Sequence, residues 1–427
     1  MERFGEELVH FCVSEVNIDE RFFRLSFLNY LGAMLSGMHE EAVDILARSC
    51  LNNGAGRYSV PGRNGQFSLS DAAEICCFAS AVQAYDDIHF ASTAHPCGPV
   101  ASAVLAAAQL RPVSLKESLE ALAVGMECEC RCAMMMFSDH SGSTSGWYTT
   151  GMAGGIGAAA AAGRILGLNR SQMQSALGLA ASFASGIRGT HGSMAGSYVP
   201  AIASASGVKA ALMAKEGFTC GISALCGTNG LIRTVAPHAE EDPYTGNFGR
   251  IWYCLDTSCK PYPYGFISFA VIGALEKLSV PERIDEVDID VSPRCAMLGK
   301  GSNPQSMYDV FVSLPYIAAG ILLNPSAALK PMHADFTVSE AERMLMQRIR
   351  IHEDEALSDN AARVSINHGE VTGSCTQAPG SEGHAMPEEE VCRKFSVICG
   401  LKEPDAVIRH ILRNDIPDLH DYISGLK

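Results

Sequence analysis

The sequence predicts a mostly α-helical protein: a large all-helical domain with a smaller α+β domain set into it near the C-terminal end. Three observations carry this. The chain is 47% hydrophobic but only 7% aromatic, so its core is built from Ala, Val, Leu, Ile and Met, which suits close helix packing better than stacked sheets. Helical periodicity follows helical periodicity from Glu6 to about Leu255,. The texture changes near Lys260 and returns to helix near Glu388. A length of 427 residues exceeds one small core and calls for about two or three domains,. The expected boundaries are 1–258 for the helical domain, 259–387 for the α+β domain, and 388–427 for helices that return to the first.

Within the helical domain, Arg24–Leu35, Glu40–Leu51 and Leu115–Cys128 have amphipathic spacing,. Gly151–Leu166, with its run Ala158–Ala162, and Met173–Ile187 are rich in small residues, which let backbones approach closely and mark central helices,. A phosphate loop at Gly151–Gly157 is the alternative, but no strand precedes it and Gly-Lys-Ser/Thr is missing,. In the smaller domain, Ile284–Val291, Arg348–His352 and Ala362–Asn367 have strand character, and Val371–Gly383 is rich in turn residues,. Met307–Leu323 and Glu340–Met346 read as helices between them, and Glu388–Gly400 and Ala406–Leu412 as helices after them,.

A formal net charge of −15 argues against nucleic acid and anionic membrane surfaces as partners,. It leaves a small anionic substrate open, because a pocket can be locally basic in an acidic protein. The sixteen cysteines are irregularly spaced, and Cys128-x-Cys130-x-Cys132 has no paired Cys-x-x-Cys of the zinc type,. They read as buried reduced thiols of a cytoplasmic protein. The acidic N-terminus lacks a signal-peptide apolar core, and no segment reaches the ~18 uninterrupted apolar residues of a membrane span,.

One stretch concentrates chemistry. In Ala84–Pro99, two adjacent carboxylates, Asp86 and Asp87, and two imidazoles, His89 and His95, fall just after an apolar helical run. Charge is otherwise sparse here, so the cluster points to a site that moves protons. A helix cap and turn is the alternative reading of the same residues. Anions are disfavoured at a helix C-terminus, which argues that Asp86 or Asp87 has a His or Lys partner.

The order of several blocks resembles the MmgE/PrpD family of dehydratases, decarboxylases and epimerases. The blocks are Asp86-Asp87-x-His89 with His95-Pro96, then Gly146-Trp147-Tyr148-x-Thr150-Gly151, Ala176-Leu177-Gly178-Leu179-Ala180, and Gly207-Val208-x-Ala210-Ala211. Lys260-Pro261-Tyr262-Pro263, Ser313-Leu314-Pro315-Tyr316, Ala378-Pro379-Gly380-Ser381 and Lys394-Phe395 complete the set. The resemblance spans about residues 5–400. It implies an all-helical domain with an α+β lid, a homodimer, a small organic acid as substrate, and no metal or organic cofactor.

It also implies the chemistry, which is proton removal beside a carboxylate followed by loss of water, loss of CO2, or reprotonation. Carried over to this chain, His95, Tyr148, Lys260, Asp86 and Asp87 become the catalytic candidates, and His89, Arg188 and His191 the substrate-binding ones. Tyr148 stands where many relatives have His; as an acid it needs no pKa shift, as a base it needs a nearby cation such as Lys260. Relatives carry a Lys where this chain has Gly196, a His at Val199, and a polar or basic residue at Ile202. The expectation is a less basic pocket, and a smaller or partly apolar acid as substrate. Three functions follow: a lyase first, a two-base epimerase second, and a scaffold that has lost its chemistry third.

Overall fold

Glycine and alanine let the central helices touch backbone to backbone. The computed structural model describes residues 1–137, 146–301, 303–325 and 336–426. Helix Thr149–Ile165 lies against both Leu115–Phe137 and Met194–Lys215. A Cβ placed on Gly125 would sit 2.7 Å from the carbonyl oxygen of Gly157, and one on Gly207 2.5 Å from Cβ of Ala158. No side chain fits there, so both glycines are fixed by packing. Around this pair run Glu20–Gly37, Leu69–Ala81, Cys97–Ala107 and Arg170–Ser182. Their starts are locally encoded: Ser68 accepts from the Asp71 amide at 3.1 Å, and Asn169 and Gln172 form a reciprocal capping box,.

One hydrophobic core joins residues from Phe4 to Cys254 with residues from Met386 to Ile423, including Val391 and Phe395 of helix Glu388–Ile398. A second core runs from Tyr262 to Ala378. It belongs to a lid whose four-stranded sheet runs from Ile349–Glu353 (β4) through Val287–Val291 (β3) and Ala362–Ile366 (β5) to Val371–Cys375 (β6). β3 pairs parallel with β4 and antiparallel with β5, Ile289 facing Ile351 and Val364. Val287, Ile289 and Val291 are buried in alternation, as a sheet with one covered face requires,. The protein is thus mostly helical, with a large helical body and a smaller α+β unit.

Two differences from the sequence reading have physical causes. β6 falls in the stretch read as turn-rich. It is an edge strand with only Cys375 fully buried, and Gly373 presses on the carbonyl of Ala274, so tertiary pairing sets its conformation,. The helix expected over Met173–Ile187 stops at Ser182, and the chain then extends so that Ile187 bridges to Trp147.

The chain leaves the helical body at Lys260 and comes back before Met386. The two crossings touch: a Cβ on Gly380, whose φ is +78°, would lie 2.5 Å from Pro261 and 2.9 Å from the carbonyl of Cys259. The segment leading to Lys260 is pinned from below by fully buried Arg131. Its guanidinium bonds Glu127 at 2.5 Å, the carbonyls of Tyr244 and Ile251 at 2.6 and 2.7 Å, and Asn247 at 2.6 Å. It also stacks 4.0 Å from the Phe248 ring centroid,. All sixteen cysteines are unpaired. Among the described residues, no helix is long and apolar enough to cross a membrane.

Candidate active site

A two-stranded ribbon builds the centre. β1, Asp87–His89, pairs antiparallel with β2, Thr257–Cys259, and the ladder continues from the Lys260 amide to the Asp86 carbonyl at 3.1 Å. This register brings Lys260 onto Asp86 across 174 positions, with Nζ 2.6 Å from Oδ1. The loop enters β1 at Ala84 and leaves it before His95 at Thr93, each with φ +56°. Left-handed backbone at non-glycine residues costs of order 1–3 kcal/mol apiece and tends to cluster at functional sites. Both residues lie at the cleft wall.

His95 is held by three contacts. Its amide donates to Thr150 Oγ1 at 2.9 Å, and Nδ1 lies 2.5 Å from the Asp87 carbonyl oxygen and 3.2 Å from Asp86 Oδ2. A carbonyl only accepts, so Nδ1 carries the proton and Nε2 presents a lone pair. Burial, then the charge of Lys260, lowers the imidazole from 6.5 to about 4, so it is neutral at pH 7,.

A second short ribbon delivers the opposite wall. The Tyr148 amide bonds the Gly186 carbonyl at 3.2 Å, and the Arg188 amide the Gly146 carbonyl at 2.8 Å. Tyr148 thereby stands at the start of helix Thr149–Ile165, its ring centroid 6.3 Å from His95 and 5.0 Å from His191. Burial, then Asp86, raises its phenol further, so it stays a proton donor,.

Asp86, His95, Tyr148, Lys260, Arg188 and His191 all line one cleft of about 510 Å3 between the helical body and the lid, within the usual range for small-molecule sites. Two other candidates do not reach it. His89 is fully buried: Nδ1 meets Ser92 Oγ at 2.7 Å and Nε2 the Tyr253 carbonyl at 3.1 Å. Both nitrogens are used, so it is a strut under the ribbon rather than a substrate-binding group. Asp87 is also walled off from the cleft. Its Oδ2 accepts the Cys97 amide at 3.0 Å, and its backbone carbonyl, not its carboxylate, orients His95.

The substitutions that suggested a depleted pocket also sort by position. Gly196 lines the cleft, but Val199 packs beneath Gly151 and Gly186, and Ile202 is 37% exposed outside the cleft. Positive charge enters from Arg294 on the lid, a residue the sequence reading missed. Lys394, seen there only as part of a motif, is 1% exposed and donates to the carbonyls of Tyr85 at 2.9 Å and Lys260 at 2.7 Å. Burial lowers its ammonium to about 8.

These shifts make stability depend on pH in a defined way. Burial holds His89 and His95 at about 4 against 6.5 in the unfolded chain. Between those values the unfolded chain binds more protons, so stability falls as pH falls. Asp87 has the opposite sign: burial, then Asp86, raises it from 3.8 to about 7, so its folded form gains protons first. Asp87→Asn therefore steepens the stability lost between pH 6.5 and 4.5. Urea midpoints at the two pH values read this, and an equal or shallower loss contradicts it.

Fold and cleft together define a two-domain protein with a carboxylate-paired lysine and a neutral histidine at the domain junction. The MmgE/PrpD N-terminal domain matches residues 20–243 and the MmgE/PrpD C-terminal domain residues 262–414. The chain belongs to the MmgE/PrpD family. It is similar to cis-aconitate decarboxylase of Aspergillus terreus (strain NIH 2624 / FGSC A1156), 23% identical over 362 residues, which are 76% of this chain and 74% of that protein. It is also similar to the cis-aconitate decarboxylase-like protein oryM of Aspergillus oryzae (strain ATCC 42149 / RIB 40), 29% identical over 249 residues, 53% of this chain and 51% of that protein.

Proposed function

We propose that this protein is a lyase that removes the proton α to the carboxylate of a small organic acid and expels a β substituent, without help from an organic cofactor. The carrying observation is the contact of His95 Nδ1 with the Asp87 carbonyl, which leaves Nε2 as the basic nitrogen on a cleft-lining ring whose centroid is 6.3 Å from that of Tyr148. His95 takes the α-proton, and the released electron pair forms a carbon–carbon double bond as the β C–O bond breaks. Tyr148 gives its proton to the departing oxygen, so water leaves. Lys260, already paired with Asp86, steadies the negative charge that develops between them,. The similarity to cis-aconitate decarboxylases, which are lyases, supports the class.

A two-base epimerase would have neutral His95 remove the proton from one face and the Tyr148 phenol return one on the other, so the same protonation states serve both readings. Solvent deuterium separates the readings. In D2O, a panel of 3-hydroxy acids should yield unsaturated product, whereas an epimerase returns labelled substrate and a scaffold gives neither. The division of labour has its own test: Tyr148→Phe should lower product formation about 100-fold while His95 still exchanges the α-proton. Equal loss of exchange and product would remove Tyr148 from the acid role.

A further inference from the structure

Two guanidinium groups face the same cleft from opposite domains. Arg188 comes from the loop after helix Arg170–Ser182, and Arg294 from the lid helix Pro293–Gly299. Their roles differ. Arg294 is braced: Nη1 bonds Asp359 Oδ2 at 2.9 Å, Asp359 also accepts from Ser292, and the guanidinium lies 5.0 Å from the Phe266 ring centroid. Arg188 has no carboxylate partner among the described residues, although it is half-buried. Arg294 is close enough to work against its charge, as burial does. Two guanidinium groups on one cavity, one of them without a carboxylate partner among the described residues, can hold an anion,.

The charge count sets how many anionic groups fit. Among the described residues, the cleft is lined by three cations, Arg188, Arg294 and Lys260, and two carboxylates, Asp86 and Asp309. Lys260 is consumed by Asp86. Both His95 and the Tyr148 phenol are neutral at pH 7. Arg294 is likewise paired with Asp359, and Asp309 accepts from Gln305 and Ser306, so Arg188 is the lining cation without a carboxylate partner among the described residues; a single carboxylate matches it, and further carboxylates would enter a low-dielectric cleft unpaired,. Apolar wall is supplied by Ile88 from the body and, more extensively, by Phe266, Ile267, Leu298, Phe311 and Val312 from the lid, with Asn303 and Ser313 among them.

We infer that Arg188 and Arg294 form a cross-domain clamp for one carboxylate, and that the ligand is a monocarboxylic acid whose apolar arm lies against the lid. This deepens the proposed lyase reading and rests on it only for what happens after binding. The clamp places the carboxylate beside Tyr148, with the α-carbon toward His95. Because one arginine belongs to each domain, binding also draws the lid onto the body.

Calorimetric titration of the full chain with hexanoate, hexanamide, glutarate and citrate tests it without turnover. Hexanoate should bind about ten-fold or more tighter than the neutral hexanamide, and about ten-fold or more tighter than glutarate or citrate. Arg188→Gln and Arg294→Gln should each weaken hexanoate about ten-fold or more, and Arg188→Lys less than Arg188→Gln. The acid–amide comparison needs no variant, so a poorly folded Arg294→Gln leaves the test intact. Equal binding of acid and amide, tighter binding of citrate, or an unaffected Arg188→Gln overturns the clamp. A chain that binds hexanoate as stated but gives no unsaturated product from the 3-hydroxy acids loses the lyase reading and keeps the clamp. Unsaturated product with an unaffected Arg188→Gln does the reverse.

Discussion

Replacing His95 by Asn lowers α-proton exchange by about 100- to 10,000-fold while leaving the melting temperature near that of the parent. General base catalysis by a positioned imidazole is worth that range. Asn keeps a donor for the Asp87 carbonyl and so preserves the loop, but it has no lone pair of comparable basicity to put in the place of Nε2. Exchange into an acid that binds the parent reads the outcome directly, and circular dichroism checks the fold. Exchange within about ten-fold of the parent would move the base elsewhere, with His191 the next imidazole on the cleft wall.

The largest stability effect is expected at Arg131, which is not among the residues lining the cleft. Arg131→Met leaves Glu127 fully buried with the Cys254 amide, 3.0 Å away, donating to Oε2 but no cation beside it among the described residues. Removing one member of a buried ion pair costs about 3–5 kcal/mol, because the remaining charge is uncompensated. The double variant Glu127→Gln/Arg131→Met should recover part of that loss, since no charge is then stranded. Urea unfolding of the three proteins reads both effects. A single variant within about 1 kcal/mol of the parent would mean that the stacking on Phe248 and the carbonyl bonds, not the charge pair, hold the 244–254 segment.

The sequence revealed most where a local rule and the tertiary structure agree. Runs such as Gly151–Leu166 declare a central helix because only small side chains allow the contacts found at Gly125 and Gly207,. The cluster at Asp86–His95 and the blocks at Tyr148 and Lys260 are motifs, and the fold brings Asp86, His95, Tyr148 and Lys260 to one cleft. What stayed hidden depends on distant pairing. The β1–β2 ribbon joins two three-residue strands, too short to leave a periodic signal,. Nothing around Arg294 says that it faces a loop about a hundred residues earlier. Lys394 did leave a trace: it shares the apolar helix face of Val391, Phe395 and Ile398, where a charge is out of place,. His89 misled because type and proximity in sequence suggested a site, whereas its two hydrogen bonds show a satisfied strut.

The paired crossings at Lys260 and Gly380 have a consequence for how such a protein changes over time. Every group assigned to proton transfer is anchored to the helical body, Lys260 included, because the ribbon fixes it before the chain departs. The residues assigned to the ligand's arm come mainly from the other side of those crossings. Mutational drift in the lid can therefore alter which acid is held while the geometry of base and proton donor stays as it was. A lineage built this way can try new substrates without first surrendering its chemistry.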